Sequence, residues 1–90
     1  MQELIRVRCK QGHLIITDEF IRVELGSIKQ QTLYRSSLTG VESKIAVFPT
    51  FGLGGGINLI FHGKGGEVLH ADLVKPKVAQ EIVGMLQHPQ

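Results

Sequence analysis

Four histidines, one cysteine, two adjacent serines and a short row of alternating cations are the residues of this chain with chemical reach. The histidines are His13, His62, His70 and His88, and no two stand at the i, i+2 or i, i+4 spacing of a compact metal pair. Cys9 is the only cysteine, so no thiolate pair can complete a zinc site. His62 and His70 fall on the two arms of a glycine-turn hairpin, where they would be diagonal neighbours on one face. A third ligand is not evident, so solvated strand histidines are expected, with no metal and no cofactor. Nucleophilic catalysis needs a base and an orienting group around a positioned nucleophile. Ser36 and Ser37 carry no such signature, Cys9 reads as a small core residue, and no paired-acid motif is present. These residues do not read as an enzyme.

Glycine raises the next question: there are 11 in 90 residues, against a usual share of roughly 7%. Seven of them lie between Gly52 and Gly66. A phosphate loop would need Gly-x-x-x-x-Gly-Lys-[Ser/Thr]; Gly63-Lys64 has Asn58 five positions earlier and Gly65 after it. A dinucleotide fingerprint sits between a strand and a helix, whereas these glycines precede a strand. Nucleotide binding is therefore not expected. Ten Lys+Arg against eight Asp+Glu leave a net charge of +2, too small to imply nucleic acid.

Two surface candidates remain. Arg6, Arg8 and Lys10 alternate along the first strand and would line one face, with Arg22 on a neighbouring strand. Such a face could meet an anionic headgroup or an acidic partner, or be a solvated face paired with Glu3, Glu19 and Glu24. The second candidate is Phe48 to Gly56, a chargeless loop carrying Phe48, Phe51 and Leu53. These apolar groups either tuck back over the end of the fold or contact a partner chain, a second copy or a membrane surface. Two phenylalanines make a marginal membrane anchor, so a protein contact is the better expectation.

The elements that would hold these residues are mostly strands. Ile5, Val7 and Cys9 alternate with the cations from Leu4 to Lys10, the period of a half-buried strand. His13 to Thr17 is a second apolar run. Phe20, Arg22 and Glu24 then share one face, with Ile21, Val23 and Leu25 on the other. Ile28 to Arg35 is polar and partly β-branched, as suits an exposed strand, and Ile28 to Leu33 is expected at a sheet edge. Leu38, Val41, Ile45 and Val47 carry a further strand. Ile57 to His62 and Glu67 to Val74 flank Gly63-Lys64-Gly65-Gly66 as a hairpin. Pro76 then opens an amphipathic helix, over about 76–88, with Val78, Ala79, Ile82, Val83 and Leu86 on one stripe. No apolar run is long enough to span a bilayer, no signal peptide opens the chain, and a lone cysteine suits a reducing, cytoplasmic compartment.

About seven antiparallel strands followed by one helix must curl or split into packed sheets, with the helix plugging an open end. This order resembles a single pleckstrin-homology (PH)-like domain, a mainly β, half-open barrel capped by a C-terminal helix. Gly12-His13-Leu14-Ile15-Ile16-Thr17-Asp18-Glu19-Phe20-Ile21 is similar to the G-x-L-x-[IV]-T-[DN]-x-x-[LIF] opening of bacterial PH-like domains. Leu38-Thr39-Gly40-Val41 resembles the I-x-x-[IV] element that begins a later strand there. The resemblance covers about Leu4 to His88 and rests on hydrophobic and turn positions. The lysine that precedes [Lys/Arg]-x-Arg in lipid-binding PH domains is missing before Arg6-Val7-Arg8, so a headgroup site does not carry over. The resemblance implies a binding or assembly module, associating with a protein partner or with itself to form a homo-oligomer. The alternative is a peripheral lipid or small-ligand binder using the basic first strand or the Phe/Gly-rich loop.

Overall fold

The computed structural model describes residues 2–26, 28–45 and 56–87. Among these are seven strands and one α-helix. β1 is Glu3–Cys9, β2 Gly12–Thr17, β3 Phe20–Leu25 and β4 Lys29–Tyr34. A 3₁₀ turn, Arg35–Ser37, leads to β5 Leu38–Ile45, then β6 Ile57–Gly63, β7 Val68–Val74 and the helix α1 Pro76–Gln87. The hairpin, the strand alternation and the terminal helix thus stand where hydrophobic periodicity puts them, within a residue or two.

The strands form two antiparallel sheets, ordered β1-β2-β3-β4 and β5-β6-β7. Register explains which side chains go inside. Val7 faces Leu14, which faces Val23; Ile5 faces Ile16, which faces Ile21 and then Leu33. On the second sheet Leu59 and Phe61 of β6 face Ala71 and Leu69 of β7. These rows meet in one core with Ala79, Ile82 and Leu86 of α1. The opposite face of the first sheet carries Arg6, Ile15, Arg22 and Thr32 in one row and Arg8, His13, Glu24 and Gln30 in the next.

The two sheets remain separate and do not close into one barrel. The ladder of β4 ends at Tyr34, the 3₁₀ turn redirects the chain, and β5 starts a new ladder with β6. β7 lies against β1, β3 and β4 of the first sheet. The closest tie is at the β1–β2 turn. There the Lys10 amide donates to the Asp72 carbonyl oxygen at 2.7 Å. The Gln11 side chain adds two bonds, Nε2 to the Asp72 carboxylate and Oε1 from the Asp72 amide, both 3.0 Å.

This tie falls at an irregular point of β7. Ile57 faces Val74 but Leu59 faces Ala71, so β7 carries one residue more than β6 across this stretch, the signature of a bulge. Leu73 takes up the extra length with φ of 59°, a left-handed conformation that costs an ordinary residue roughly 1–2 kcal/mol. Asn58 holds it by accepting the Leu73 N–H at 3.0 Å. Gly56 is required by the same feature, because a Cβ there would lie 2.6 Å from the Leu73 Cα.

Candidate functional site

Three surfaces combine exposure with chemistry. The first is the cationic face of β1. Arg6 is already engaged: its guanidinium binds Glu3 at 2.8 Å and comes within 3.8 Å of Glu24. The hydrogen bond from Arg6 holds the Glu3 carboxyl below its usual range, and Glu3 in turn raises Arg6. Arg22 caps the face of the Phe20 ring, 4.2 Å from its centroid, and donates to Thr32. Lys10 stands past the end of β1, in the turn that meets Asp72. Arg8 is different. It borders a hollow of about 250 Å³ with Val7, Lys75 and Val78, and neither Arg8 nor Lys75 has a carboxylate within 4 Å among the described residues. Of the three cations alternating in the sequence, one is neutralised, one leaves the strand, and Arg8 keeps its charge open to a partner.

The second surface is the outer edge of β4. It ends the four-stranded ladder, and only Leu33 of its six residues is buried. Ile28 just before it is 91% exposed and Tyr34 at its end 60%. Polar residues between two apolar ones thus flank an edge whose outward backbone groups have no ladder partner among the described residues, which is an available template for another strand.

The third surface escapes sequence reading. Among the described residues β5 also ends its sheet, and a groove of about 370 Å³ lies between α1 and the sheet at Ser43 and Ile57. Ser43, Ile57, Ala79, Val83 and Gly84 line it, with Pro76 and Gln80 at the helix side. Positions 76, 79, 80, 83 and 84 follow helical spacing, so one face of α1 makes one wall. The sequence shows Val83 only as part of an apolar stripe; the packing of α1 against β5 and β6 shows that part of this stripe lines the groove.

Other candidates take structural places. His62 and His70 do share a face, since His70 is opposite Ile60 and His62 opposite Val68. His62 Nε2 pairs with Glu42 across the β5–β6 ladder at 2.5 Å. No cluster of three metal-ligating side chains occurs among the described residues. Cys9 packs at the border of the core, and burial pushes its thiol pKa up, the opposite of what activates a nucleophile. Phe48, Phe51 and Leu53 lie outside the described residues. No described helix is long and apolar enough to cross a membrane. No family model matches the chain, and no curated protein or solved structure matches it significantly.

Proposed function

We propose that this chain is a non-catalytic binding and assembly module of bacterial PH-like architecture, working in the cytoplasm, that joins protein chains through its open sheet edges. A second copy of the chain is the first partner to test. The observation that supports this reading is β4: an edge strand with exposed backbone groups, bracketed by the exposed Ile28 and Tyr34. Apolar groups at the ends of an uncovered strand gain by burial only when another chain arrives.

Light scattering over a concentration series tests it. The expected result is a mass above the 9.9 kDa monomer that grows with concentration. Neighbouring residues of an edge strand point their amides to opposite sides. Of Gln30→Pro and Gln31→Pro, one therefore removes an outward donor while sparing the ladder, and that variant should fold yet fail to associate. A monodisperse monomer at millimolar concentration overturns self-association. Arg8 and Lys75 favour a second reading, contact with an anionic surface. Sedimentation with anionic vesicles that is lost in Arg8→Glu would put that reading first.

A further inference from the structure

The backbone directions of β4 follow from one bond. The Arg35 amide donates to the Glu19 carbonyl oxygen at 2.8 Å, and positions 35 and 19 continue the β3–β4 register. Bonded pairs alternate along an antiparallel ladder, so Leu33, Gln31 and Lys29 turn their backbone groups toward β3. Gln30, Thr32 and Tyr34 turn theirs outward, where no ladder partner stands among the described residues. The side chains of these three lie on the outer face, in the rows of Glu24, Arg22 and Phe20. Along this edge the order of residues is complementary to its own reverse. Ile28 and Tyr34, both exposed, stand three positions before and three after Gln31. Uncharged Gln30 and Thr32 stand one position before and one after it.

We propose that two copies of the chain pair antiparallel along β4, with a two-fold axis at Gln31, and close a dimer. Ile28 of each copy then stands opposite Tyr34 of the other, and Lys29 opposite Leu33. Gln30 and Thr32 exchange backbone hydrogen bonds with Thr32 and Gln30 of the second copy. Other registers match less well. An axis at Gln30 sets Ile28 against Thr32 and Tyr34 against Gly26. An axis at Thr32 sets Tyr34 against Gln30 and Ile28 against Ser36. An axis at Lys29 puts like charges directly opposite, which is destabilising. With the axis at Gln31 both exposed apolar groups cover each other, as an aromatic and β-branched cross-strand pair. The two Lys29 positions are then four residues apart along the sheet, about 13 Å. That exceeds the roughly 8 Å over which exposed charges act at physiological salt. A foreign strand could satisfy the outward backbone groups, but the spacing of Ile28 and Tyr34 about one centre selects a second copy. A two-fold contact uses the same patch on both chains and stops at two. It joins a pair of four-stranded sheets edge to edge.

This pairing rests on the edge-binding reading and fixes its partner and register. The test uses the full chain with Cys9→Ala, so that an introduced cysteine is the only thiol. Gln30→Cys, Gln31→Cys and Thr32→Cys are each incubated with oxidised glutathione, and covalent dimer is followed on non-reducing gels. At the axis the two Cα atoms lie about 4.5 Å apart, within disulfide reach. The flanking positions meet their own copies only diagonally, at roughly 7–8 Å. Gln31→Cys should therefore cross-link roughly tenfold faster than the other two. Light scattering should level off at twice the 9.9 kDa monomer. Ile28→Ser and Tyr34→Ser should each weaken association roughly tenfold with circular dichroism unchanged, since one substitution removes the contact twice. Unchanged association in both serine variants overturns the Ile28–Tyr34 contact and with it the register. Faster cross-linking through Gln30→Cys or Thr32→Cys overturns the axis at Gln31 and leaves edge binding standing. So does a mass that passes the dimer without levelling, or a dimer that none of the three cysteines traps. A persistent monomer overturns both.

Discussion

Leu73 is the residue where this fold departs furthest from its own regularities. Its left-handed backbone would be unfavourable alone, and two neighbours over-determine it: Asn58 satisfies its N–H, and Gly56 leaves room for its Cα. Asn58→Ala should therefore cost about 1–2 kcal/mol, because the amide loses its acceptor at a half-buried position. Gly56→Ala forces a methyl group against backbone, not against a movable side chain, and should cost about 2 kcal/mol or more. Urea denaturation measures both. Equal stability of Gly56→Ala and the parent chain would show that the bulge relaxes freely. Gly12 is held by a similar constraint: φ is 152° and an added Cβ would run into the Glu24 carbonyl oxygen. Polar groups at this scale are well provided for, since no buried side-chain nitrogen or oxygen among the described residues lacks a partner.

At the scale of elements, period-two alternation was the most legible signal. Ile5, Val7 and Cys9 against Arg6 and Arg8, and Ile21 and Val23 against Phe20 and Arg22, predict their faces correctly. They do so because each sheet has one dry face, which makes the pattern an imprint of burial. Phe20 and Ile15 are buried on the other face, and alternation alone does not anticipate that. The guanidinium of Arg22 stacks over the Phe20 ring, so a charged side chain shelters an apolar neighbour on the outer face. Lys10 fails as a strand residue for a different reason: its amide is taken by Asp72, 62 positions away in the chain. The groove at Ser43 and Ile57 could not be read either, since it depends on how α1 packs against β5 and β6. Edge strand β4 is secured by a single buried side chain, Leu33. Leu33→Ala should cost about 2–4 kcal/mol. It should also strip hydrogen-exchange protection from Lys29–Tyr34 before any other strand. Uniform loss of protection across both sheets would instead make β4 part of one cooperative unit.

On the scale of the whole molecule, two sheets that do not close into a barrel need another way to hold their orientation. The shared core supplies most of the attraction, but hydrophobic burial is non-directional. The directional part is the pair of bonds between Gln11 and Asp72, with the Lys10 amide beside them. Gln11→Ala and Asp72→Ala should each cost about 1–2 kcal/mol. In a double-mutant cycle the combined loss should fall short of the sum by at least about 0.5 kcal/mol. Strict additivity would assign the orientation to the core alone. One consequence of this layout lies in how the molecule can be divided. Each sheet is a meander of consecutive strands, residues 3–34 in one and 38–74 in the other, with only the turn Arg35–Ser37 between them. Among the described residues no ladder crosses that turn. Two polypeptides separated at Ser36 therefore keep every strand pairing intact and lack only the tether, so the pair should reconstitute the native fold when mixed, each half serving as the template for the other.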